Sequence, residues 1–155
     1  MSFQIVALPI SRFDSPLKAD DEALVKYGAE WRVVDTCPGF PCRVSLVDAA
    51  VGERVLLINV AFHDVNSPYR AAGPIFVREN AKTAKCLPNT IPSLLLHRTL
   101  FLRGYDKQSN LIVAIVVEGM QLSEALQKIF SDSGVDYLHI HNAAAGCFIC
   151  VVHRV

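Results

Sequence analysis

Short runs of β-branched and aromatic residues, joined mostly by links too brief to hold a helix, constrain this chain more than any other feature. Phe3 to Leu8, ended by Pro9, reads as a first strand. Trp31 to Asp35, Arg54 to Phe62 and Ile75 to Arg78 follow, with Ala71-Ala-Gly-Pro74 supplying the turn before the last of these. Arg54 to Phe62 is apolar on both parities, the pattern of a strand covered on two faces. Thr99 to Tyr105 and Leu111 to Val117 flank the polar segment Asp106 to Asn110 as a hairpin. Val135 to His141 and Cys147 to Val152 form a second hairpin around Asn142 to Gly146. Val55 to Val60 and Leu111 to Val117 are expected as interior strands.

Helical signals are few. Leu122, Ala125, Leu126, Ile129 and Phe130 make one apolar stripe at helical spacing, with Gly134 placed to stop it. A second helix is expected across Pro16 to Tyr27, with Ser15 as N-cap, Pro16 in the first turn and Gly28 at the C-terminal end. The adjacent carboxylates Asp20 and Asp21 belong to a helix start, where they complement the dipole. So few crossovers argue against a parallel α/β layer. The expected fold is α+β: a single domain over residues 1–155, mostly antiparallel sheet packed by two or three helices.

Composition narrows the function classes. Fifteen basic and fifteen acidic residues cancel, so there is no basic stripe for a nucleic acid. The longest purely apolar run, Leu111 to Val117, is far shorter than the roughly 20 residues of a spanning helix, so no membrane partner is expected. Five cysteines cannot form a closed disulfide set within one chain. With no secretory signal at the N-terminus, the expected compartment is the cytoplasm. With 52% hydrophobic against 19% charged residues, a weakly charged surface also suits a homodimer.

The last hairpin carries the most chemistry. His139 and His141 share a strand face with Tyr137, while Leu138 and Ile140 point to the other side. Two imidazoles on one face suit a metal, but the spacing alone favours a wet strand face where each bonds to solvent. Cys147 and Cys150, three apart, face opposite sides of a regular strand. One of them is therefore expected beside the histidines: Cys147 if it pairs with His141, Cys150 if the register shifts by one. Cys42 joins as a loop thiol beside Arg43, either an activated nucleophile or a buried packing group. Arg43, Arg70, Arg78 and Arg103 interrupt apolar segments. They suit carboxylate or phosphate recognition, or structural pairing with Asp35, Asp48, Glu79 or Glu118. No glycine-rich phosphate loop and no nucleophile elbow is present, so no organic cofactor is implied.

Three long motifs stand in order: Pro38 to Leu46; Ser67-Pro-Tyr-Arg70 with Gly73 to Glu79; and Tyr137 to Asn142 with Gly146 to Cys150. They resemble the hallmarks of a bacterial family catalogued only as domain of unknown function number 1203. The resemblance implies a small stand-alone protein and carries no activity with it. It singles out Cys42, Arg43, Tyr69, Arg70, His139, His141, Asn142 and Cys147. Cys37, Cys86, His63, His97 and His153 lie outside the motifs and receive no role.

The expected function is a pocket of Cys, His and Arg that binds or transforms a small anion. Cys42, His139 and His141 are the candidate catalytic groups, and Arg43, Tyr69, Arg70 and Asn142 the candidate ligand-binding ones. No permanently bound structural metal is expected; were one bound, His139, His141, Cys42 and Cys147 would be its ligands. The alternatives are a non-catalytic binding or assembly module and a metal-dependent enzyme using the two histidines.

Overall fold

Period-two alternation within the late strands decides the architecture, because each strand has two apolar or aromatic faces to cover. The computed structural model describes residues 1–155. Strands β1 (Phe3–Val6), β5 (Thr99–Tyr105), β6 (Leu111–Glu118), β7 (Tyr137–Asn142) and β8 (Phe148–Arg154) make one antiparallel sheet in the order β1-β8-β7-β5-β6. Strands β2 (Ala29–Val33), β3 (Arg54–His63) and β4 (Ala71–Arg78) make a second, antiparallel and in chain order. The α+β class is as expected. The division into two sheets is not visible in the strand patterns, which say only that a face is covered and not by what.

Four helices complete the chain: α1 (Asp14–Lys18), α2 (Asp21–Lys26), α3 (Ser93–Leu96) and α4 (Leu122–Phe130). Helix α4 occupies the expected residues and buries Leu122, Leu126, Ile129 and Phe130. They pack on Leu100, Leu102, Leu138, Ile140, Cys150 and Val152, the main core. Gly134 does not stop it, since Ser131 already caps the last turn. At Gly119, before α4, a Cβ would meet the Leu95 carbonyl oxygen at 1.9 Å, so only glycine lets the chain pass α3.

Three further expectations are overturned. The single helix over Pro16 to Tyr27 is broken in two, because Ala19 and Asp20 are extended and the Asp20 carboxylate accepts from Ala23 N–H at 2.8 Å. Asp20, not Ser15, is the cap that stabilises the longer piece. Ala71 to Pro74 are not a turn but the first half of β4. Proline is tolerated there because β4 is the last strand of its sheet, free of the need for a second ladder partner. Leu111 to Val117 are not an interior strand. Strand β6 is the edge of the large sheet and leaves Ile112, Ile115 and Val116 exposed.

Candidate functional site

The second face of the large sheet holds the candidate site. Cross-strand pairing sets Tyr105, Arg103 and Phe101 of β5 opposite Tyr137, His139 and His141 of β7, and partners across a ladder share a face. Strand β3 closes over this face. Its register shifts between Val60 and His63, so the neighbours Phe62 and His63 both pack into the same cluster, which a regular strand forbids. The Phe62 ring stacks on Phe148 with centroids 5.0 Å apart and meets His141 edge-on at 5.4 Å. The His63 ring lies 4.2 Å from Tyr105 and 4.7 Å from His139.

The hairpin departs from both registers expected of it. His139 pairs with Val151, Ile140 with Cys150 and His141 with Phe148, the shift falling between Ile140 and His141. This bulge puts Phe148, not a cysteine, on the histidine face. Cys150 joins the α4-side core, where burial pushes its thiol up. Cys147 lies in the turn, its sulfur 3.9 Å from the Ala145 carbonyl oxygen. The set His139, His141, Cys42 and Cys147 is therefore not assembled, and no three His, Cys, Asp or Glu side chains converge as metal ligands.

Nor is this a wet strand face: His139 and His141 are 2% and 5% exposed. His141 Nδ1 lies 2.9 Å from the Gly146 carbonyl, which can only accept, so Nδ1 carries the proton. Nε2 is then left as a bare lone pair, buried and with no hydrogen-bond partner in the protein. Burial lowers the pKa of this imidazole, and the positive charges of Arg103 and Arg43 lower it further, so it is neutral at pH 7. His139 Nδ1 is likewise buried and unpartnered. Burial, with His63 and His141 adding to it, takes that ring down to about 3. His63 is satisfied. Its Nδ1–H donates to the Tyr69 carbonyl at 2.7 Å, leaving Nε2 to accept from the Tyr137 hydroxyl at 2.6 Å. The Ser109 hydroxyl sits 2.9 Å from that phenol and completes the chain as its donor.

Arg103 is the cation of the site. Its Nε donates to the Tyr105 hydroxyl at 3.0 Å and its guanidinium lies 5.5 Å from the centre of the Phe101 ring, but it makes no ion pair. Arg70, Arg78 and Arg98 are each bound to a carboxylate, Asp64, Glu53 and Asp48 respectively. Phe62, Phe101, Arg103, Tyr105, His141 and Gly146 surround a cavity of about 350 Å³, within the range of small-ligand sites. A larger concavity of about 500 Å³ between β6 and α4 contains no histidine, cysteine or arginine.

The other sequence candidates scatter. Cys42 is fully buried between the sheets, its sulfur accepting from Ser45 and Arg78 N–H at 3.4 and 3.3 Å, the packing role. Arg43 is 2% exposed and donates to the carbonyls of Pro41 and Phe148, and burial takes it down to about 10. Tyr69 holds His63 through its backbone. Arg70 is 71% exposed at the side chain, 3.3 Å from Asp64. Asn142 closes the β7–β8 turn through backbone bonds with Gly146 and Cys147. Sequence reasoning missed His63, Tyr105, Phe62 and Phe101 as site residues and gave Arg103 no specific place. Only parity offered a signal: Phe101, Arg103 and Tyr105 alternate on β5 as Tyr137, His139 and His141 do on β7.

Fold and site together define an α+β protein of two antiparallel sheets with an Arg/His-lined cavity between them. The family model described as "Protein of unknown function (DUF1203)" matches residues 39–154, and the chain belongs to that family. Every residue lining the cavity falls within the match. No curated protein and no solved structure matches the chain. No helix is long and apolar enough to cross a membrane.

Proposed function

We propose that the cavity binds a small anionic molecule, a carboxylate or a phosphate ester, and that His141 accepts a proton from it or from a water beside it. The pairing of an uncompensated arginine with a bare imidazole lone pair carries this reading. Arg103 supplies the charge, with forked donors left after Nε is committed to Tyr105. Tyr105 accepts that bond and so keeps its own proton to donate to the ligand. His141 is held in one tautomer by Gly146, the arrangement that presents an imidazole nitrogen as a base. Leaving a polar atom buried and unpartnered costs about 1–3 kcal/mol, which a ligand bond would offset.

In this reading Cys42 and Arg43 hold the two sheets together, and Arg70 plays no part. The chemistry also links binding to protons. The positive charge of Arg103 lowers the His141 pKa, so an anion that neutralises it raises that pKa and favours proton uptake.

Calorimetric titration with inorganic phosphate and a panel of small carboxylates tests the reading. Arg103→Ala is expected to weaken binding at least about tenfold, the loss of one charge-assisted bond. His141→Gln is expected to abolish the proton uptake while leaving part of the affinity. Binding indifferent to both substitutions, or no binding across the panel, overturns it.

A further inference from the structure

We infer that β6 is the pairing edge of a homodimer, joined to the β6 of a second copy in antiparallel register about a two-fold axis at Ala114. The inference rests on how the four sheet edges are finished and does not depend on the cavity.

Three edges are protected against pairing. β1 is only four residues long, and the loop ahead of α3 lies along it: Asn89 N–H donates to the Phe3 carbonyl at 2.8 Å, and Phe3 N–H to the Asn89 side chain at 3.1 Å. β2 carries the charged residues Glu30 and Arg32, paired at 2.7 Å. β4 is covered by the Cys42–Arg43 segment, through a parallel bridge between Cys42 and Phe76 and a bond from Arg43 N–H to the Phe76 carbonyl at 3.1 Å. Charge, shortness and cover are the usual devices that stop a sheet edge from recruiting another chain.

β6 has none of them. It is eight residues long, hydrogen-bonded only to β5, and from Leu111 to Val117 contains no charge and no proline. Its outer N–H and C=O groups form an unblocked row. Its side chains are apolar on both faces, with Val116 62%, Ile112 46% and Ile115 38% exposed.

A second copy is the occupant because the strand complements itself. With Ala114 on the axis, Leu111 meets Val117, Ile112 meets Val116 and Val113 meets Ile115. Glu118 then falls opposite Asn110, so no like charges face each other. The symmetric pairing is isologous and closes after two copies, whereas an open edge left to random partners would aggregate. On the α4 side the second strand narrows the 500 Å³ concavity lined by Val113, Ile115 and Val117. On the other side it continues the floor beside Phe101 and Arg103, whose ladder partners are Val116 and Ala114.

Two measurements on the full chain test this. Light scattering coupled to size exclusion at micromolar concentration should give twice the chain mass for the wild type and the single mass for Val116→Lys, with matching circular dichroism. Residues facing each other across an antiparallel pair have Cα atoms about 4.5–5.5 Å apart, within disulfide range, so Ala114→Cys should crosslink to a covalent dimer under mild oxidant. The parent chain with its own five cysteines sets the background. A monomeric wild type overturns the inference. So does a dimer that survives Val116→Lys and in which Ala114→Cys crosslinks no better than the parent.

Discussion

The five-stranded sheet has two faces built from the same strands, and they obey different rules. Toward α4, Leu100, Leu102, Leu138, Ile140 and Val152 make a dry core in which nothing polar is buried without a partner. Toward β3, the alternate residues Phe101, Arg103, Tyr105, Tyr137, His139 and His141 make a less enclosed layer, with Phe101, Arg103 and Tyr137 only half-buried, that keeps two buried imidazole nitrogens unsatisfied. Both layers bury ring and chain area. Only the second retains groups that lower stability, and in the proposed reading a bound ligand would partner one of them.

Substitutions on the two faces should separate them. The largest effect is expected at Leu138, which has no exposure: Leu138→Ala leaves a cavity under α4 and should cost about 3 kcal/mol in urea unfolding.

Acid comes next. His139 takes up a proton near pH 3 when folded but near 6.5 when unfolded, so as pH falls below 6.5 the unfolded chain binds that proton first and stability drops. At about 1.4 kcal/mol per unit, roughly 2 kcal/mol should be gone by pH 5, and His141, shifted in the same direction, adds to the slope. Unfolding curves that are flat between pH 7 and 5 would break the distinction between the faces.

His139→Phe replaces an unpartnered imidazole by a ring of similar shape among Phe62, Tyr105 and Phe148. It should stabilise the protein by about 1 kcal/mol at pH 7 and reduce the acid slope. A loss as large as that of Leu138→Ala would mean the ring has a partner and the second layer is an ordinary core.

The smallest change is expected outside both layers. Arg70→Ala removes an exposed pair with Asp64 and should alter stability by less than about 0.5 kcal/mol, with anion binding untouched. Weakened binding there would return Arg70 to the site.

Much of this was legible in the chain itself. The α4 stripe, the two late hairpins and the α+β class follow from spacing alone, because a helix or a hairpin is set by residues close in sequence. Parity also put His139 and His141 on one face, opposite Leu138 and Ile140. Parity failed at the bulges. The shift at His141 exchanged a cysteine for Phe148, and the shift before His63 brought that histidine into a cluster for which its sequence position gave no reason. An inserted residue changes which face follows it, and the residues on either side do not announce the insertion.

What the sequence by itself determined is therefore local: which segments are strands, which single stretch is a strong amphipathic helix, and which side chains alternate together. What only the tertiary structure decided is which faces meet. Leu111 to Val117 and Arg54 to Phe62 are both apolar runs, yet one is an open edge and the other the centre of its sheet. His139 and His141 are buried because β3 covers them, and Cys42 is closed off because it packs in a core with Leu8, Ile75, Val77 and Phe148. Burial, and with it the protonation of a histidine or the reach of a thiol, depends on contacts between segments dozens of residues apart, and no pattern within a single segment contains them.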